Sequence, residues 1–366
     1  MARRKGIEGL REDLERQRAE FTRRAPCYER ILAALLALLD GDAALRQRLA
    51  SALGARTFFA PYDRPLLILA ALRLDAMRTG PAHPLYDAIV TPAADAARVT
   101  PEAVASAMGA DRPQLFETIA ARHVQTNETR RAIAWLWPAA LAGCSNQRRP
   151  LALVDIGASA GLNLVAHELP RPWMDERGHP LPTVESPRLI ARLGLDARPL
   201  DASNPNDADW LRACIWPGDA ERLERLDAAL AAWCASPARV ERADIAAVAP
   251  RIGAQLAELP EDALVLAYQT VVREYLPPDA RAAHEAAMDE LLATAAPGRL
   301  VWAELEAAGT PGPANLPAAL TLHVRGPDGV ETLELARSHW HPSVVRTNPG
   351  TIARFTPLLA SRPGHP

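Results

Sequence analysis

Residues 153–169 read LVDIGASAGLNLVAHEL, and within them Asp155, Gly157, Ser159 and Gly161 stand at every second position. An acid, two glycines and a hydroxyl in that spacing suit a chain that passes from a strand into a helix around a ligand. Glycine tolerates positive φ and carries no side chain, so the backbone can come close to a bound group. The first amides of a helix beginning near residue 160 would offer donors to an anion, with Ser159 and Asn163 beside them. Asp155, at the strand end, can orient the loop or accept from a ligand amine or hydroxyl. The pattern is D-x-G-x-x-x-G. A dinucleotide fingerprint needs a third glycine in G-x-G-x-x-G, so a nicotinamide or flavin oxidoreductase is disfavoured. The competing expectation is a tight strand-to-helix turn that binds nothing, because a doubly wound sheet needs small residues there in any case.

The elements that hold this turn follow from the rest of the chain. It has 366 residues, of which 49% are hydrophobic, enough for two domains with a sizeable core. The 41 basic and 44 acidic residues are interleaved, leaving a net charge of -3, which gives no electrostatic footprint for nucleic acid. Cys27, Cys144, Cys214 and Cys234 form no CxxC pair, so neither a zinc site nor a disulfide framework is signalled. The basic start lacks the apolar run of a signal peptide, and RILAALLALLDGDAAL is interrupted by Asp40 and Asp42. A cytoplasmic protein without a membrane span is expected.

Up to residue 145 the apolar residues recur at three and four, as in YERILAALLALL and RPLLILAALRLDAMRTG, which predicts an N-terminal helical bundle or lid domain over 1–145. Beyond it, over 146–366, short apolar runs alternate with helical stretches. LALVDI (151–156), a run within 181–201, ARVERAD (238–244), ALVLAYQ (263–269), RLVWAEL (299–305), ALTLHVRG (319–326) and VETLELARS (330–338) are seven candidate strands. Such alternation predicts an α/β, Rossmann-like, mostly parallel sheet, with the last two runs forming a hairpin around PDG.

VDIGASAGLNL, HVQTNETRR, RLGLDARPLD and DADWLRACIWPGDAERLERL, in this order, resemble the DUF2332 family, a set of bacterial proteins grouped near the class I S-adenosylmethionine-dependent methyltransferases. The resemblance runs from APCYERIL to about residue 275. It implies a seven-stranded methyltransferase-type sheet with an antiparallel last strand, and S-adenosylmethionine cradled by the first loop at Asp155, Gly157, Ser159, Gly161 and Asn163. It also implies a ribose-binding acid at the end of the second strand, for which Glu185 and Asp196 compete, and Asp244 on the adenine amino group. Tyr268 and Gln269 would face the reacting centre. Methyltransferases usually carry glycine where Ser159 stands, and no NPPY-like motif follows Tyr268, which weakens any case for methylating an amino group of a base or glutamine. On this reading an arginine at Gly161 should block the cofactor and spare the fold.

RHVQTNETRRAIAWLW reads as one helix. At 100° per residue Gln125, Asn127, Glu128 and Arg131 share a broad sector with Val124, Ala132 and Trp135. Beside the resemblance, this makes the helix a lid on the cofactor site, with Gln125, Asn127 and Arg131 or Arg122 on the ligand and Glu128 on an amine or acting as a base. The alternative is a structural network docking bundle to sheet. Trp210, Arg212 and Trp216 line a pocket or fill an interdomain core. His339 and His341 lie on one side of an extended segment, but no third ligand is near them, so no metal is expected. The expected function is therefore an S-adenosylmethionine-dependent, methyltransferase-like transferase acting on a small molecule, with Glu128 and Tyr268 at the chemistry. A non-catalytic binding or scaffold protein and a non-methyl use of the cofactor are the alternatives. Oligomeric state is left open.

Overall fold

The computed structural model describes residues 4–58, 60–91, 94–310 and 315–360. The chain divides into two compact units, Met1–Thr126 with Asn204–Asp227, and Asn127–Ser203 with Ala228–Pro366. The division falls before Asn127, where the sequence placed it near 145, and the first unit takes back a later excursion of the chain.

The first unit is helical. Its helices include Leu10–Phe21, Pro26–Gly41, Ala43–Leu53, Asp63–Thr79, Pro101–Ala107, Pro113–Ala121 and Pro205–Ala213. Four of these open on proline, whose fixed φ suits a first helical turn. Asp63–Thr79 carries LLILAALRL and is buried nearly all round. Arg64 on it is fully buried, donating Nε to Asp13 Oδ2 at 3.0 Å and Nη1 to the carbonyls of Gly6 and Glu8, which balances its charge and its donors. Arg73, one face further on, donates to the carbonyls of Ile89, Arg212 and Ile215.

The second unit is built on a nine-stranded sheet. Its strands are β1 (Pro150–Ile156), β2 (Met174–Asp175), β3 (Arg188–Asp196), β4 (Arg239–Arg242), β5 (Leu264–Thr270), β6 (Leu300–Ala307), β7 (Ala318–Gly326), β8 (Gly329–Ser338) and β9 (Val344–Thr347). The spatial order is β2-β9-β8-β7-β6-β5-β1-β3-β4. β4, β3, β1, β5 and β6 are parallel, and β6 to β9 pair antiparallel in turn. All seven expected runs are strands. The count is nine because the short β2 and β9 extend the sheet, and three consecutive antiparallel pairings replace a single antiparallel last strand. The hairpin around PDG is present, with Gly326 opposite Gly329.

β1 is buried along its whole length, as a central parallel strand must be. On one face Leu151, Leu153, Leu266 and Tyr268 pack with Trp135, Leu136 and Trp137 of the helix Ile133–Leu141. On the other, Ala152, Val154, Val265 and Trp302 pack with Ile252 of Val248–Glu258 and with Met288 and Leu292 of Pro278–Thr294. That packing explains the shifted division: 133–141 spends its apolar face on the sheet.

Two further expectations change. The stretch 122–137 is not one helix: 122–128 has no regular secondary structure, Thr129–Ala132 is a 3-10 turn and the α-helix begins at Ile133. Glu128 accepts from the Arg130 amide with its side chain, starting a new turn and interrupting any continuous helix. The helix expected from residue 160 is a seven-residue 3-10 segment, Leu162–Glu168, so it presents no α-helical N-terminus. No helix among the described residues is long and apolar enough to cross a membrane.

Candidate functional site

In an open α/β sheet the ligand crevice lies outside the carboxyl ends of the strands where the order reverses, here between β1 and β5. β1 ends in Asp155-Ile156 and passes into the 157–161 turn, whose Gly157, Ser159 and Gly161 all have positive φ, 74°, 54° and 75°. The turn is tied down by its own chain. Gly157 and Ala158 donate to Leu195 O at 2.8 and 3.2 Å, Ser159 N to Asp196 Oδ2 at 2.8 Å, and Gly161 N to Ala158 O at 2.7 Å.

The glycines are explained differently from expectation. A Cβ on Gly157 would meet Val272 Cγ2 at 2.6 Å, and one on Gly161 would meet Val240 Cγ2 at 2.7 Å and the Trp233 ring at 2.8 Å. The close approach is made by the protein's own side chains. Gly161→Arg would therefore break the fold and test no ligand. Gly161→Ala alone should cost about 2–4 kcal/mol in urea denaturation, combining overpacking with an unfavourable φ; a loss below about 1 kcal/mol would show that Trp233 and Val240 move aside easily.

The two candidate acids stand differently with respect to the second parallel strand. Asp196 is the last residue of β3, while Glu185 precedes the strand and is exposed. Asp196 accepts from Ser159 N through Oδ2 and from Arg198 N through Oδ1 at 2.7 Å, leaving lone pairs on both oxygens. Asp244, two residues past β4, is exposed and caps the short 3-10 turn Ile245–Ala247 through Ala246 N at 3.2 Å.

Asp155 and Tyr268 are register partners on β1 and β5, both buried, and neither Asp155 Oδ2 nor Tyr268 Oη has a hydrogen-bond partner of standard geometry. Burial pushes the Asp155 carboxyl well above the usual range, with Asp196's charge adding and the Tyr268 hydroxyl opposing. Burial likewise raises Tyr268, and the neighbouring Asp155 adds to it. Asn163 Oδ1 is a third buried oxygen without such a partner.

The segment from Asn127 lies on this turn. Asn127 donates Nδ2 to Ser159 Oγ at 2.6 Å, and Trp135 donates Nε1 to Asn163 O at 2.9 Å. Glu128, 1% exposed, holds His341 Nδ1 at 2.9 Å, and Arg131 donates to Trp340 O at 3.0 Å. Asn127, Glu128, Arg131, Ser159 and Asn163 are thus brought into one neighbourhood. Gln125 and Arg122 belong to the first unit, where Arg122 pairs with Asp207 at 2.5 Å. Trp210 is fully buried there and donates to His123 O at 2.8 Å, Trp216 meets Phe21 edge-on, and Arg212 pairs with Asp209 and Asp227.

Gln269, expected beside Tyr268 at the reacting centre, faces the other side of the sheet, in a polar cluster of β5 and β6 whose remaining members sequence reasoning missed. Gln269 donates Nε2 to Glu304 Oε1 at 2.9 Å and to Glu306 Oε1 at 3.3 Å, and its own Oε1 lies 3.1 Å from His284 Nε2. His323 Nε2 lies 2.8 Å from Glu304 Oε2, which also pairs with Arg273. The signal was present in WAELEA: two acids two apart in an apolar strand fall on one face and cannot both be solvated.

These features define an α/β protein with a parallel sheet centre and polar side chains at the carboxyl ends of its strands. The chain belongs to the DUF2332 family, described as an uncharacterized protein conserved in bacteria, whose match covers residues 11–346. That match extends beyond residue 275, where the sequence resemblance stopped, and takes in Glu304, Glu306 and His341. No curated protein and no solved structure matches the chain.

Proposed function

We propose that this chain is a methyltransferase-like enzyme that binds S-adenosylmethionine across the carboxyl ends of β1, β3 and β4 and acts on a small molecule. The observation that carries the reading is a row of acids at three successive strand ends: Asp155 on β1, Asp196 on β3 and Asp244 just past β4. A nucleoside with a vicinal diol and an amino group needs acceptors in such a row, and Asp196 keeps lone pairs for two hydroxyls. The buried Asp155 carboxyl, raised by burial and set beside the Tyr268 hydroxyl, fits a hydrogen-bonding group of a ligand. Bound S-adenosylmethionine would supply an electrophilic sulfonium methyl group. The chain's own part is to position the acceptor and to take up its proton. Tyr268 stands beside Asp155 on the sheet, and Glu128 holds His341 on the segment that covers the turn.

One observation favours a second reading, a binding or scaffold protein without catalysis. The space over Gly157 and Gly161 is filled by Val272, Val240 and Trp233, which leaves the glycines a packing role. Calorimetric titration with S-adenosylmethionine, S-adenosylhomocysteine and NAD separates the two. The cofactor reading expects micromolar binding of the first two and none of NAD, with Asp196→Ala and Asp244→Ala each weakening binding about tenfold or more, the loss of charge-assisted hydrogen bonds. Binding of neither sulfur compound by the parent chain would leave the scaffold reading standing.

A further inference from the structure

The backbone leaves β5 in an uncommon way. Val271 has φ 58°, a left-handed conformation that a β-branched residue rarely adopts, and such strain persists only where neighbours hold it. Val271 N donates to Leu305 O at 3.0 Å. Val272 N donates to Glu306 Oε1 at 2.8 Å, and Arg273 N reaches both Glu306 oxygens at 3.4 Å. A buried side-chain carboxylate thus holds two successive amides of a strained turn. The Val272 side chain in turn occupies the space beside Gly157, on the turn after β1.

We infer that Glu306 is a proton-operated clamp: as a carboxylate it fixes the 271–273 turn against Gly157, and when protonated it releases that turn, so that the β1 turn and binding to it follow pH. The clamp is a positioning device, and its effect on a cofactor rests on the site proposed above. A carboxylate accepts an amide hydrogen bond more strongly than a neutral carboxyl does. The charged groups around it are Glu304 on β6, Arg273 on the turn itself and Glu285 on Pro278–Thr294; the titratable His284 lies on the same helix and His323 on β7. Arg273 pairs with both Glu304 and Glu285, so Glu306 is left to the backbone amides and Gln269. Burial raises the Glu306 carboxyl to about 7; the Val272 amide opposes, Glu304 adds and Arg273 opposes. The clamp therefore closes as pH rises through neutrality.

The test is amide hydrogen exchange on the full chain at pH 6, 7 and 8, corrected for intrinsic exchange, with S-adenosylhomocysteine titrated at each pH. Protection of Val272 and Arg273 should rise about tenfold from pH 6 to 8, as expected for gaining a charge-assisted bond. Protection of Leu266 in mid-β5 should stay constant. Glu306→Gln, which keeps an acceptor oxygen and loses the charge, should hold the turn at the pH 6 level throughout. Val272 protection that is independent of pH in the parent, or equally pH-dependent in Glu306→Gln, overturns the clamp. Absence of S-adenosylhomocysteine binding alongside pH-dependent protection overturns the cofactor reading alone and supports the clamp.

Discussion

Trp135→Ala is expected to lower the stability of the sheet-bearing unit by about 3–5 kcal/mol, the usual cost of deleting a fully buried tryptophan. Trp135 has no exposed surface, packs in the cluster with Leu151 and Tyr268, and meets the His167 ring edge-on with centroids 6.0 Å apart. Its Nε1–H is also the tie to Asn163 O. Trp135→Phe isolates that tie: most of the volume stays, and the loss should be about 1–2 kcal/mol for an unsatisfied carbonyl. On the proposed cofactor reading, Trp135→Phe weakens S-adenosylhomocysteine binding by more than its loss of stability accounts for. Equilibrium urea unfolding beside calorimetry checks both; a Trp135→Ala variant within 1 kcal/mol of the parent would contradict the packing described.

The second large effect depends on pH. Glu306 has its carboxyl raised from 4.5 to about 7, principally by burial, so the folded chain holds this proton where the unfolded chain has released it. Between those values the native state binds more protons, and stability falls as pH rises. The displacement corresponds to about 3 kcal/mol, present in full below pH 4.5 and lost above about pH 7. Asp155, raised by burial as well, adds to the same trend. Glu306→Gln removes the term. Its stability relative to the parent should increase by about 2–3 kcal/mol between pH 5 and pH 8. A constant difference across that range would mean that Glu306 stays ionised in the fold. The global gain and the local loosening of the 271–273 turn are compatible, because one concerns the cost of burying charge and the other a pair of amides.

Much of this molecule can be read from its residues. β1 and β5 show as mostly apolar runs, because strands buried on both faces admit little else, and PDG between two further runs requires a hairpin. β2 and β9 escape because two and four residues carry no period. The turn at Asp155–Gly161 is legible as a turn, yet the reason for its glycines is not: Val272, Val240 and Trp233 lie 72 to 115 residues away from the glycines they crowd, and only tertiary structure brings them there. The segment 122–128 misleads, since helical periodicity is computed as though the backbone were continuous. Asn127 instead uses its side chain on Ser159, and Glu128 caps the next turn. Pairing Glu128 with His341, 213 positions apart in the sequence, needs the intervening chain to fold.

The composition of the helical unit has a consequence for how the chain is made and cut. Its earlier residues rely on ones that come much later: Arg73 ends on the carbonyls of Arg212 and Ile215, Phe21 meets Trp216, and His123 O accepts from Trp210. During synthesis this unit stays incomplete until residue 227 has emerged, after β1 and β3 have already been made. A fragment ending at 145, where the sequence invites a cut, would leave an arginine and several apolar side chains without their cover. Such a fragment should be prone to aggregation and proteolysis, and the two units are best expressed as one polypeptide.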